Sequence, residues 1–484
     1  MRFVDLFAGC GGLSLGMERA GGELICAVEK SDMAARTFYH NHVGDAADIR
    51  RWESYVRMDL ARQVAHRVVV RPLSDVLEDS RIMGALGQRE IDAVVGGPPC
   101  QGFSMAGRRQ RDDIRNRLAW EYLDFVERTS PKMVVIENVV GMRNTFTAGE
   151  ESSFDQLRDA LATRGRQGYL VQPVQVNAMH YGSPQHRPRL MLIAVRSDIA
   201  GLLGISVTSS IWKSAFRDEL AADVPDLAPI PVVRSADVWT VRDAISDLGD
   251  WGLMPGRGRN ARYLERLRWL SEVLDRPVPS SDQIQNQNKR RHTDRVATRF
   301  SVYRWMQQNG IDARMFSLLD RGPGTAGEVA RSFLGDIEYP VVLRASANDV
   351  GLRFESETEL TNFIVGLGTR KHSQKALDPD KPARTVVSLP DDYVHPAESR
   401  TFTVRELARF QGFPDNFEFL GKETTGAHRR RVEVPQYTQV GNAVSPWQSY
   451  AVALRLKEHL DRYRNLIQEE RVLEAVGAAA IVTS

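Results

Sequence analysis

Cysteine is scarce in this chain of 484 residues, where only Cys10, Cys26 and Cys100 occur. Three thiols cannot build a disulfide framework, and they fit a reducing compartment. Long apolar runs are also missing. No stretch reaches the roughly 18 uninterrupted apolar residues of a membrane-spanning helix. The segment Leu6-Phe7-Ala8-Gly9-Cys10 superficially looks like a lipoprotein cleavage box. However, a secretory leader needs about 7–15 apolar residues after a basic start, and Asp5 interrupts after Phe3 and Val4. A cytoplasmic protein is therefore expected. Charge of one sign is nearly absent too: 64 Lys and Arg against 62 Asp and Glu leave +2. With 42% hydrophobic and 26% charged residues, the composition is that of a globular protein, not a mainly disordered one. Neither an internal repeat nor a low-complexity tract is present. The length suggests two or three domains.

The balanced total hides basic clusters. Residues 108–117 carry Arg108, Arg109, Arg111, Arg115 and Arg117 against Asp112 and Asp113. Residues 289–304 carry Lys289, Arg290, Arg291, Arg295, Arg299 and Arg304 against Asp294 alone, and His428 to Arg431 add a third cluster. Each could be a solvated face. Three together in a near-neutral chain point toward a polyanion, because neutralising phosphates drives nucleic-acid affinity.

Along the chain, Arg2 to Phe7 reads as a buried strand ended by glycines, followed by a helical pattern from Leu13 to Ala20. Leu24 to Glu29 is a second strand with an acid at its end. Further strands are expected over Ile91–Val95, Met133–Ile136 and Leu190–Val195, with helices over Leu118–Arg128 and Ser153–Arg164. This alternation predicts an α/β fold with a parallel, doubly wound sheet, which binds ligands at the carboxyl ends of its strands. Segments 221–235 and 250–260 read as loops, 261–310 as largely helical and basic, and 311–400 as a mixed second domain. Val404–Phe410 and Pro446–Glu458 read as helices, the latter reaching about Leu473, with a frayed tail after Ala475.

Two turns carry chemistry. In Asp5-Leu6-Phe7-Ala8-Gly9-Cys10-Gly11-Gly12 the glycines allow close backbone approach to a ligand, and the next helix begins with unpaired N–H groups. The spacing is not that of dinucleotide enzymes. Glu29 is placed to bind ribose hydroxyls. In Gly96-Gly97-Pro98-Pro99-Cys100-Gln101-Gly102-Phe103-Ser104 two prolines stiffen the backbone just before a thiol at the active edge of the sheet. An unperturbed thiol, with pKa about 8.5, needs electropositive help to act as a nucleophile at neutral pH. Cys10 and Cys26 read as inert core residues.

These two turns resemble the DNA (cytosine-5)-methyltransferase family. The family's other motifs follow in order: Glu137-Asn138-Val139, Gln185-His186-Arg187-Pro188-Arg189, Arg384-Thr385-Val386, Val404 to Pro414, and Gln439 to Val444. The match covers residues 1–458. The resemblance implies a Rossmann-like S-adenosylmethionine-dependent domain with a smaller target-recognition domain. The expected division is 1–260 catalytic and cofactor-binding, 261–430 recognition, 431–470 returning to the catalytic domain, and 471–484 tail.

The resemblance also implies roles. Cys100 would add to C6 of cytosine, and Glu137 would bond N3 and the exocyclic amine. That contact requires a protonated Glu137, which burial would favour. Arg189 is expected at the O2 atom, with Arg187 supporting the same pocket. The base that removes the C5 proton is not identified and could be a water. S-adenosyl-L-methionine would stack on Phe7, bind Glu29 and meet Gly9, Cys10, Gly11, Gly12 and Leu13, with Pro98, Asn442 and Ala443 closing the pocket. Many relatives have Ser where this chain has Ala443. Asp75 is the choice for the adenine amine and Asp48 its rival.

For double-stranded DNA, a flipped base costs a few kcal/mol, offset by contacts from Gln101, Ser104, Arg108 and Arg109 in a mobile loop. Asn138, Gln185, Arg290, Arg291, Arg384 and Thr385 complete the expected DNA-facing set. No metal is expected. A tRNA-methylating relative is one rival reading, though its loop usually continues Pro-Phe-Thr where this chain has Gly102-Phe103-Ser104. A non-catalytic DNA-binding relative is the other. The start of the chain close to the cofactor turn suggests a prokaryotic modification enzyme, cleavage belonging to a separate restriction nuclease or defence partner.

Overall fold

The computed structural model describes residues 1–99, 114–143, 152–254, 256, 258–319, 326–345, 349–369, 371, 373–389, 391–425 and 433–482. Eight strands form the main sheet: β1 (Arg2–Leu6), β2 (Glu23–Val28), β3 (Val68–Val69), β4 (Ala93–Gly96), β5 (Met133–Val139), β6 (Tyr169–Asn177), β7 (Pro188–Arg196) and β8 (Trp212–Lys213). Their order is β3-β2-β1-β4-β5-β7-β6-β8. From β3 to β5 all neighbours are parallel. The expected all-parallel sheet is corrected beyond that point, because β7 lies antiparallel between β5 and β6. An apolar run announces a strand and not its direction. A short connection such as that from Asn177 to Pro188 suits antiparallel neighbours, whereas parallel ones need a longer crossover. β6 gives a weaker local signal, since Pro173 interrupts it.

Successive residues of the central strands enter opposite cores. Ala93, Val95, Met133, Val135, Met191, Ile193 and Val195 face one core, whereas Val94, Val134, Ile136, Leu190, Leu192 and Ala194 face the other. Burial on both faces explains why these strands read as continuous apolar runs.

The N-terminal helix Gly12–Arg19 packs on the C-terminal helix Pro446–Val482 at backbone range. A Cβ at Gly16 would stand 2.4 Å from both the Pro446 carbonyl oxygen and the Tyr450 nitrogen. Alanine at this position should therefore separate the helices and cost roughly 1–3 kcal/mol of stability, despite its better helix propensity. A urea midpoint at or above that of the parent would contradict the close approach. The C-terminal helix continues past Leu473 to Val482 instead of fraying from Ala475, in keeping with the alanines at 478–480.

A third core collects Phe300, Tyr303, Met306, Phe316, Leu334, Val341, Phe354, Leu360, Ile364 and Val394. Around it lie the hairpin of β9 (Val341–Leu343) and β10 (Leu352–Phe354) and the parallel pair β11 (Lys375–Ala376) and β12 (Tyr393–Val394). The division expected at 261 and 430 is broader than this core. Tyr263, Leu267 and Leu270, and likewise Phe402 to Phe419, pack into the first core. Residues 261–310 are also less helical than expected, since irregular chain separates helix Asn260–Ser271 from helix Asp294–Gln308.

Candidate active site

β1 runs into a tight turn in which Phe7, Gly9 and Gly11 have φ of 58°, 57° and 101°. Glu29, just past β2, fastens that turn: its carboxylate accepts from the Gly9 N–H at 3.0 Å and the Ser31 N–H at 2.7 Å. Burial raises its pKa, opposed by those hydrogen bonds. The three glycines do different work. A Cβ on Gly9 would meet nothing within 4 Å, so the turn borders open space there. On Gly11 it would strike the His42 ring, and on Gly12 it would stand 2.3 Å from the Val444 carbonyl oxygen. Gly9 thus leaves room for a ligand, while Gly11 and Gly12 permit packing.

Cys10 is buried, with its Sγ 3.7 Å from the Gln439 carbonyl oxygen. Burial pushes its thiol, and that of Cys26, up to about 12, as inert core cysteines require. Leu13 is buried in the first core. Asp5 opens the motif but was given no role from the sequence, although a carboxylate inside a buried strand is itself a signal. It accepts from Ser14 Oγ at 2.6 Å, and burial pushes it up to about 7. It braces the base of the turn. Asp75 is exposed in the first turn of helix Leu73–Glu78, and exposed Asp48 caps helix Ile49–Val56. Neither hydrogen-bonds to Glu29 or to the glycine turn.

The second half of the site lies at the carboxyl ends of β4 and β5. Glu137 is buried, and its Oε1 stands 2.9 Å from Arg189 Nε. The antiparallel register creates this pair. Val139 lies opposite Arg189, so Glu137, two residues back, is a diagonal neighbour on the same face. Burial pushes the Glu137 carboxyl up while Arg189 and Arg187 draw it down, with a net rise. Gly97 allows the β4 end to lie alongside, since a Cβ there would be 2.9 Å from Glu137 Oε2. Asn138 donates from Nδ2 to the Pro98 carbonyl at 3.0 Å. This bond anchors the segment that leads toward Cys100. Cys100, Gln101, Ser104, Arg108 and Arg109 lie outside the described residues.

The Gln185–Arg189 motif divides its labour unexpectedly. Gln185, expected at the DNA, is fully buried, donating to the Phe410 carbonyl and Gln411 Oε1 and accepting from the Val386 N–H. It has no surface to offer a duplex. Arg187 is buried as well and donates to the carbonyls of Val386, Gly441 and Ala443 at 3.0, 2.8 and 3.0 Å. Thr385 donates to the His186 carbonyl at 2.9 Å, while Arg384 and Asn442 are exposed. Ala443 is buried, its carbonyl taken by Arg187.

Of the basic residues at 289–304, Arg291 is the one exposed with no partner among the described residues. Lys289 pairs with Glu398 and Arg290 with Asp391. Arg295 and Arg299 donate to the Leu367 carbonyl, and Arg304 to the Ala397 carbonyl. Charge clustering in sequence overstated this surface. A groove of about 550 Å³ beside Trp269, Trp447 and Leu454 contains none of the motif residues. Among the described residues, no group of three His, Cys, Asp or Glu could hold a metal, and no helix is long and apolar enough to cross a membrane.

A glycine turn latched by a strand-end acid, set in a largely parallel sheet beside a buried glutamate–arginine pair, is the arrangement of an α/β Rossmann-like domain with its functional side chains at the strand ends. The chain belongs to the C-5 cytosine-specific DNA methylase family, whose model matches residues 1–458, and it is a DNA (cytosine-5) methylase. It is 28% identical over 473 residues to the type II methyltransferase M.DdeI of Desulfomicrobium norvegicum, spanning 98% of this chain and 92% of that one. It is 29% identical to the type II methyltransferase M.AgeI of Thalassovita gelatinovora, spanning 94% and 99%. A solved E. coli structure, named for a DNA modification methyltransferase encoded within a prophage, shares the fold. It matches with a TM-score of 0.54 at 22% identity, over 95% of this chain and 99% of that chain.

Proposed function

We propose that this enzyme methylates C5 of cytosine within a specific duplex sequence, taking the methyl group from S-adenosylmethionine, and that it serves as the modification partner of a separate restriction or defence nuclease in a prokaryotic cytoplasm. The observation that carries this reading is the buried Glu137–Arg189 pair beside Gly97, three residues before Cys100 in the sequence.

Phe7, the Gly9 turn and Glu29 would hold the cofactor. The open space at Gly9 fits close approach, and each Glu29 oxygen, accepting a single backbone bond, retains capacity for ribose hydroxyls. When bound, S-adenosylmethionine supplies an electrophilic methyl group. The assignment of Asp75 to the adenine amine is not favoured by its exposed helical position.

The residues then divide the work on the base. The Cys100 thiolate forms a bond to C6, moving electron density onto C5 and toward N3. Protonated Glu137 gives its proton to N3 and receives the exocyclic amine, which selects cytosine. In the free protein Glu137 pairs with Arg189; base entry exchanges that partner for N3 and frees Arg189 for the O2 atom. After C5 is methylated, a base removes the C5 proton, the C5–C6 double bond re-forms, the Cys100 sulfur leaves as the thiolate and N3 returns its proton to Glu137.

Residues of about 311–380 choose the sequence, because groove contacts to base edges discriminate and phosphate contacts do not. Arg291→Ala should weaken binding to every duplex alike and reduce the salt slope by about one unit. A changed methylated sequence in that variant would contradict an affinity role.

The deciding experiment is bisulfite sequencing of DNA from cells expressing the protein, beside methyl-transfer assays on duplex DNA and tRNA. The expected result is 5-methylcytosine at one recurring short sequence. Methylation confined to tRNA, or absent from both, would overturn the reading.

A further inference from the structure

Arg187 is a cation buried without a carboxylate partner among the hydrogen bonds it makes, and its Nε has no acceptor. Burying such a charge is costly unless its geometry secures something else. Its two Nη atoms grip separate stretches of chain. Nη1 holds Val386, in the segment that runs on to β12 and the third core. Nη2 holds Gly441 and Ala443, just before the Val444 carbonyl that lies against Gly12.

The same junction is fastened repeatedly. Gln185 receives the Val386 N–H at 2.7 Å and donates to Gln411, whose Nε2 donates to the Val440 carbonyl at 2.7 Å. His186 donates its N–H to the Ala383 carbonyl at 2.8 Å, and Thr385 returns a bond to the His186 carbonyl. Gly441 closes the gap, since a Cβ there would stand 2.6 Å from the Ser388 nitrogen. Residues 383–388, 440–443 and the cofactor turn therefore form one packed block, centred on Arg187.

From this geometry, and resting on the reading that the enzyme takes S-adenosylmethionine and duplex DNA, we propose that Arg187 is a positioning residue that couples the cofactor turn to the target-recognition unit. Movement of residues 384–388 as the third core engages a duplex is transmitted through Arg187 to 441–444 and so to the Gly12 side of the cofactor turn. The coupling is reciprocal, so cofactor binding tightens duplex binding by the same factor as the reverse. Arg189, whose guanidinium pairs with Glu137 and makes no bond to 386 or 441–443, lies off this route.

The test measures duplex affinity of the full chain with and without S-adenosylhomocysteine, which binds without turnover. The parent protein should bind duplex about 5-fold or more tightly with the probe present. Arg187→Lys keeps a positive charge but cannot hold three carbonyls on two segments, and its coupling should fall close to one. Because that variant leaves buried carbonyls unpaired and could unfold, Gly441→Ala provides a second route: it wedges 441 from 388 without removing any charge, and should show the same loss. Arg189→Lys should lose turnover and retain coupling. A merely structural Arg187 would lower the folded fraction, read by thermal melting, and leave the coupling of the folded protein intact. Parent-like coupling in folded Arg187→Lys or Gly441→Ala would overturn the proposal, as would a parent that methylates DNA yet shows no coupling. A parent that methylates no DNA instead removes the functional reading beneath it.

Discussion

Cys100→Ala is expected to abolish methyl transfer while S-adenosylmethionine binding persists, because the proposed role of the thiol is to attack the base, whereas the cofactor is proposed to sit at the turn around Gly9. C5 of cytosine is too weak a nucleophile to take a methyl group unaided, so loss of the sulfur removes the step that activates it. A duplex carrying 5-fluorocytosine at the target should become covalently attached to the parent protein, since fluorine cannot leave as a proton does. Cys10 and Cys26 give the internal control. Both are buried, with thiols held up at about 12, and their alanine variants should still trap the duplex. Mass spectrometry of the trapped complex reads the outcome directly. Trapping that survives Cys100→Ala would remove the thiol from the mechanism. Asn138 should matter at the same step, because it holds the Pro98 carbonyl two residues before the thiol.

The second large effect concerns Glu137. Glu137→Gln keeps the shape of the side chain but removes the transferable proton, so turnover should fall by about 10²–10⁴, with a much smaller change in duplex affinity. The pH dependence carries a sign. Burial raises the Glu137 pKa, and the proposed mechanism uses the protonated form. Its contribution is full below that raised pKa and disappears as pH climbs through it. Thiolate formation at Cys100 runs the other way, favoured by rising pH. The parent should give a bell-shaped profile of kcat, and Glu137→Gln should lose the descending limb while retaining the ascending one. An unchanged descending limb would mean that N3 receives its proton from another group.

Much of this was legible locally. β1, β2, β4 and β5 are apolar runs buried on both faces, and the turns after β1 and β4 declare themselves through glycine and proline. Glu29 was readable as a strand-end acid expected at ribose hydroxyls, and the structure shows its carboxylate holding the Gly9 N–H of the glycine turn. Asp75 and Asp48 were less secure because the helical insertions before and after β3 displace acids from the strand ends. The basic cluster at 289–304 misled for a different reason. Composition counts charges but not partners, and Asp391, Glu398 and the Leu367 carbonyl are distant in sequence.

The sequence by itself determined the family and the order of its motifs, because those reside in short stretches whose backbone demands are local. Only the tertiary structure decided which motif residues pair at the strand ends and which hold the frame. Arg187 and Arg189 stand two positions apart, a spacing that on one strand would put both on one face, but Arg187 lies just before β7 begins at Pro188 and its side chain takes a separate course. Arg189 reaches Glu137 through the antiparallel register of β5 and β7, whereas Arg187 turns into the junction of residues 386 and 441–443. Gly9 and Gly12 divide likewise between open space and the Val444 carbonyl. A periodic pattern specifies that successive residues face opposite ways; what lies on each side is set by chain segments hundreds of residues away.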